Sequence, residues 1–230
     1  MKKDLIFCIG YNKTGTTSLY QSIVDLGFNY YPNDMMGIAE FIMDDIINEK
    51  YQVLYDWIDK CIDLNIDVVK DVPFSLPGVW EKIYEKYPNA TYILSERDSP
   101  DQWYNSIFNF HQKGFSELKD KPEPTWEDVS KIDYRYKGYV SAHLSLFNND
   151  NMHSLPYDKE NLINSYLFHN NSIKDFFKDK DNFISVNVAN HNDYFKLCSF
   201  LQKTPTNNQF LRLKLTNDIT TWDKLRTYNT

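Results

Sequence analysis

The stretch from Ile6 to Leu26, IFCIGYNKTGTTSLYQSIVDL, constrains this chain most. Its apolar run, Leu5 to Ile9, ends at Gly10. Such a run suits a strand buried on both faces of a parallel sheet. A loop follows, Gly10 to Ser18, and then Leu19, Tyr20, Ile23, Val24 and Leu26 recur at helical spacing. The order is strand, Gly/Thr/Lys loop, helix. A helix N-terminus exposes unpaired N–H groups and about half a positive charge. A loop of small side chains lets an anion approach those groups. Gly15 removes an obstructing Cβ, Lys13 adds a charge, and Thr14, Thr16, Thr17 and Ser18 add hydroxyls. A plain helix cap accounts for one such hydroxyl, not four and a lysine. The expected ligand is therefore a phosphate or sulfate group.

The P-loop of nucleotide triphosphatases needs lysine directly after its second glycine, followed by Ser or Thr. Here Lys13 precedes Gly15 by two residues and Thr16 follows it, so the magnesium-binding arrangement is not reproduced. K-T-G-T-T-S-L instead resembles the 5′-phosphosulfate loop of sulfotransferases that use 3′-phosphoadenosine 5′-phosphosulfate (PAPS). A second element supports the resemblance. The predicted strand Ala90 to Ser95 runs into Glu96-Arg97-Asp98-Ser99-Pro100, and Ser106 follows on the next predicted helix. In the family an arginine after a strand and a serine on the following helix hold the 3′-phosphate; Arg97 and Ser106 fill those positions. Arginine's planar, permanently charged fork suits phosphate oxygens. Taken alone, Arg97 reads first as an ion pair with Asp98 or Asp101; beside the Lys13 loop it reads as a phosphate ligand.

The remaining pattern is of the same kind. Predicted strands near Ile66–Lys70 and Asn182–Val188 and predicted helices near Met36–Ile47, Val53–Leu64, Gly78–Tyr87, Lys159–Asp179 and His191–Gln202 alternate along the chain. Alternation of this type indicates βαβ units and a parallel sheet, with ligands at the carboxyl ends of its strands. Lys13, Asp71 and Arg97 each follow a predicted strand, so they can converge on one crevice. We expect a three-layer α/β/α fold with a central parallel sheet, of the P-loop-like sulfotransferase type, as one domain over residues 1–230. Lys119–Pro124 reads as loop and Trp126–Phe147 as one helix. The region 108–156 corresponds to the acceptor pocket in the related enzymes, although its Tyr and His residues suit packing equally well. The tail after Thr204 reads as irregular cover.

The resemblance implies transfer of a sulfuryl group from PAPS to a hydroxyl or amine, leaving PAP, with no metal required. Lys13 would meet the bridging oxygen of the leaving phosphate; the loop N–H groups with Thr14, Gly15, Thr16, Thr17 and Ser18 would hold the 5′-phosphate. Soluble relatives take a base histidine from a K-T-H-x-P segment. This chain has Lys70-Asp71-Val72-Pro73 instead, and Asp71 is the replacement read here, with His111 and His143 as alternatives. An ordinary role for Asp71 is pairing with Lys70 or Lys13. His169 matches a frequent histidine of the family. Two rivals remain: an ATP–magnesium phosphotransferase, and a non-catalytic PAP(S)-binding protein.

Composition narrows the partners. A net charge of −7 lacks the basic face of a nucleic-acid binder and disfavours a polyanionic acceptor, so a small molecule or neutral glycan is expected. Cys8, Cys61 and Cys198 have no metal spacing and read as buried thiols of a reducing compartment. The first strand begins within a few residues of Met1, leaving no room for a signal peptide, and no apolar run nears the ~18 residues of a membrane span. The expectation is a soluble, cytoplasmic enzyme.

Overall fold

A computed structural model describes residues 5–30, 38–148 and 152–211. The predicted loop residues 31–34, the predicted helix start at Met36 and the tail beyond 211 lie outside them.

The elements run β1 (Ile6–Cys8), α1 (Thr16–Asp25), α2 (Ile38–Ile47), α3 (Gln52–Asp63), β2 (Val68–Val69), α4 (Val79–Lys86), β3 (Thr91–Ser95), α5 (Pro100–Gly114), α6 (Trp126–Ser130), α7 (Tyr139–Phe147), α8 (Lys159–Phe177), β4 (Phe183–Val186) and α9 (His191–Phe200). The four strands form one sheet in the order β2-β1-β3-β4, every pairing parallel. In register, Phe7 faces Val69 on one side and Tyr92 on the other.

Alternation along buried strands splits the core in two. Phe7, Tyr92 and Leu94 join the larger cluster, which takes in residues of α2 to α8 such as Trp57, Trp80, Trp103 and Phe177. Ile6, Cys8 and Ile93 point the other way and pack with Leu19 and Ile23 of α1 and Tyr194, Leu197 and Cys198 of α9. Helices therefore cover both faces, the predicted three-layer arrangement. The described cysteines are free and buried, and burial pushes the Cys8 thiol up to about 12. Phe210, in the irregular residues after α9, is buried edge-on against Tyr194 at 5.4 Å.

One expectation fails. Trp126–Phe147 is not a single helix but α6 and α7, joined by a loop with an Asp133–Lys137 antiparallel bridge. Thr125 and Asp128 close a capping box at the start of α6, and Gly138, at φ +91°, restarts the chain as α7. The left-handed glycine breaks a helix that apolar periodicity alone would continue.

Candidate active site

The loop between β1 and α1 lies at the carboxyl end of the sheet, and packing fixes it from several sides. A Cβ on Gly10 would fall 2.4–2.6 Å from the side-chain and backbone atoms of Ser95. Only glycine lets β1's exit lie so close to β3. Gly15, the N-cap of α1, has φ +94°, and a Cβ there would stand 2.3 Å from Val188 Cγ2. Thr14, fully buried, turns its hydroxyl inward to the Tyr11 carbonyl at 2.5 Å and to Ser95 Oγ at 2.6 Å. His169 on α8 donates from Nε2 to the Ile9 carbonyl at 2.9 Å and stacks on Tyr11 with ring centroids 4.0 Å apart. Burial holds its pKa down at about 4, so it is a neutral donor tying α8 to the loop's base.

The element after β3 grips the same loop. Ser99 caps α5 by accepting from the Gln102 N–H at 3.1 Å, with Pro100 in the first turn. That start places Arg97 and Trp103 against the loop. Arg97 Nε donates to the Lys13 carbonyl at 2.7 Å, and Trp103 Nε1 donates to the Asn12 carbonyl at 3.0 Å. The Arg97 N–H donates to the Tyr166 hydroxyl at 3.0 Å. Asp101 pairs instead with Lys159 at 2.6 Å, and Asp98 accepts from Asn187 at 2.6 Å. Among the described residues neither acid bridges to Arg97. Burial lowers the Arg97 pKa, the mark of a cation that has lost much of its water. Ser106 is half-buried on α5, one turn before Phe110. Arg97 Nε is directed to the loop rather than to Ser106.

Lys13 lies at φ +67° with Nζ 3.8 Å from the Phe110 ring centroid. The helix start beyond it is open in kind: Gly15 supplies no side-chain cap, so α1's first N–H groups have none from it. Thr17 is half-buried and Ser18 buried in that first turn. Thr16 donates to Asp71 Oδ1 at 2.8 Å, and Asp71 also forms an ion pair with Lys70. Lys70, almost fully buried, lies 4.9 Å from the Tyr20 ring centroid. Asp71 therefore reaches the loop, and the ordinary pairing with Lys70 is present. Arg97, Lys13, Thr16 and Asp71 are thus joined through hydrogen bonds or the loop itself at the ends of β1, β2 and β3.

His111 and His143 stand behind this group. Both are buried, and burial depresses both pKa values, His143 to about 4. Asp71 acts on His143, and His143 and Lys13 on His111. His111 Nδ1 shares a 2.6 Å hydrogen bond with the Tyr157 hydroxyl. In the predicted acceptor region, Tyr134 packs on Phe115 at 5.3 Å and on Tyr139 at 6.0 Å, and Tyr136 on Tyr139 at 5.5 Å.

Sequence reasoning missed Trp103, Phe110, Ser95 and Tyr166 as supports of the loop. Trp103 had a usable signal, since it sits one turn before Ile107 and two before His111, the α5 positions that share its buried face. Contacts made by Ser95 and Tyr166 are long-range and carry no local sign. Among the described residues no cluster of three or more His, Cys, Asp or Glu is arranged to hold a metal ion. No described helix is long and apolar enough to cross a membrane.

No curated protein matches the chain. A family model described as a sulfotransferase domain matches residues 5–219. That span contains the anion-suited loop, the Asp71 turn and the Arg97 element together, and the chain belongs to the sulfotransferase-domain family.

Proposed function

We propose that the chain transfers a sulfuryl group from PAPS to a hydroxyl or amine of a small molecule or neutral glycan. One observation carries the reading: Arg97 and the Lys13 loop, joined at 2.7 Å, present a half-buried guanidinium beside a helix N-terminus whose N-cap is a glycine. The donor set fits a ligand with two anionic ends, because it combines two cations, hydroxyls and the N–H groups of a helix start.

When bound, PAPS supplies a sulfuryl group whose sulfur–oxygen bond to the 5′-phosphate breaks as the acceptor's oxygen or nitrogen bonds to sulfur. The first-turn N–H groups of α1 with Thr16, Thr17 and Ser18 would hold the 5′-phosphate, while Thr14, turned inward, sets the loop's shape. Lys13 would leave the Phe110 ring and neutralise charge on the oxygen that departs with PAP. Arg97 and Ser106 would hold the 3′-phosphate. Asp71 would take the acceptor's proton. His143, kept neutral by burial, is the reserve base.

The Thr16–Asp71 contact also suits a rival, since P-loop enzymes hold magnesium between a loop hydroxyl and an aspartate. Lysine in the wrong place for a P-loop weighs against it. Calorimetry separates the two. Metal-independent binding of PAP is expected; binding of ATP–magnesium with none of PAP would reject the sulfotransferase reading. Transfer of labelled sulfate from PAPS in an acceptor screen separates an enzyme from a PAPS-binding protein.

A further inference from the structure

Thr16 has a single O–H, and in this structure that proton is given to Asp71 at 2.8 Å. The same hydroxyl is the first side chain of α1, at the end of the helix where an anionic ligand is drawn. One donor cannot serve a carboxylate and a phosphate oxygen together. Asp71 also engages Lys70, whose side chain is almost fully buried. A carboxylate thus lies where the chain's own electrostatics favour a ligand's negative charge. Its backbone is at φ +59°, a left-handed conformation that Asp tolerates better than most residues but that is not its lowest state.

We propose that Asp71 is a built-in substitute anion, occupying Thr16 until the donor nucleotide arrives, and that donor binding displaces it. The inference rests on the sulfotransferase reading of the same site. It adds an order to the reaction. The carboxylate held by Thr16 becomes available for the acceptor's proton once the phosphate has taken the Thr16 hydroxyl. Donor must bind before acceptor is activated, which keeps the base from working on an incomplete site. Displacement also breaks the Lys70–Asp71 ion pair.

The test is binding of PAP, without turnover. The parent chain should bind PAP. Asp71→Asn keeps the shape and removes the competing charge, and should bind PAP about tenfold tighter. In a Thr16→Val background the same change should gain much less, because the contested hydroxyl is gone. A folded Asp71→Asn chain that binds PAP no tighter than the parent overturns the inference, as does an equal gain in the Thr16→Val background. Asp71→Ser replaces Asp71→Asn if the latter fails to melt cooperatively. Hydrogen exchange on the parent gives an answer without any variant: PAP should protect residues 13–18 and loosen residues 70–74. Protection of both segments overturns the inference. A parent that binds no PAP at all instead rejects the function proposed above.

Discussion

Arg97 Nε donates to the carbonyl of Lys13 at 2.7 Å, so one cation positions the backbone that carries another. Arg97→Ala should act twice, removing a phosphate partner and releasing the loop. Hydrogen bonds to charged groups are worth about 1.5–3 kcal/mol, so PAP affinity should fall on the order of tenfold to a hundredfold. Arg97→Lys supplies one charge without a fork and should recover only part of the loss. Calorimetry with PAP checks both, and an Arg97→Ala chain that binds PAP like the parent removes the arginine from the site.

Gly10 and Gly15 are both tightly confined, but for different reasons, and their alanine variants should behave differently. At Gly15 the obstacle is the Val188 side chain, at 2.3 Å, together with φ +94°. Gly15→Ala should cost about 1–2 kcal/mol for the left-handed backbone and more for the collision. Val188→Ala should restore the collision part only. At Gly10 the obstacles include Ser95 backbone atoms at 2.5 and 2.6 Å. Ser95→Ala cannot clear those, so Gly10→Ala should stay destabilised in either background. Thermal melting of the two double-variant cycles decides the point.

How much of this was visible in the sequence follows the range of each interaction. The strand–loop–helix from Ile6 to Asp25 and the capped start at Ser99-Pro100 are local patterns, and they stand where the residues place them. The break at Gly138 was hidden because Tyr139, Val140, Leu144 and Phe147 continue a helical apolar stripe on either reading. The β2 strand shrinks to Val68–Val69, since only those residues pair with β1. Asp71 near the loop was expected from strand ends, but its bond to Thr16 joins residues 55 positions apart and has no sequence sign. The burial of His111 and His143 was equally illegible, because a lone histidine does not announce its surroundings.

Trp103 separates support from recognition. Its ring lies nearly parallel to Tyr166 with centroids 4.7 Å apart, and its Nε1 supports the Asn12 carbonyl at 3.0 Å. Trp103→Phe keeps aromatic packing and loses the donor, leaving a carbonyl short of a partner. The expected cost is about 1–3 kcal/mol, read from denaturant midpoints. PAP affinity should fall modestly as the loop loosens. A Trp103→Phe chain with unchanged stability would mean that water or a neighbour readily replaces the indole N–H.

The buried histidines predict a stability profile in mild acid. In the unfolded chain histidine protonates near pH 6.5, whereas burial in the fold lowers His143 and His169 to about 4. Between those values the unfolded state binds more protons, so stability is complete above about pH 6.5 and is lost as pH falls toward 4. Each histidine can account for up to about 3 kcal/mol across that window, at about 1.4 kcal/mol per tenfold change in proton affinity. Glu81, whose pKa burial raises, works in the opposite sense and softens the slope. Asp128, held at about 2 by Lys121, titrates below the window. Denaturant midpoints taken from pH 7.5 down to about 4.5 should therefore decline, and His143→Gln, which cannot charge, should decline less steeply. Identical slopes for the parent and His143→Gln would show that this imidazole takes up its proton without unfolding the chain.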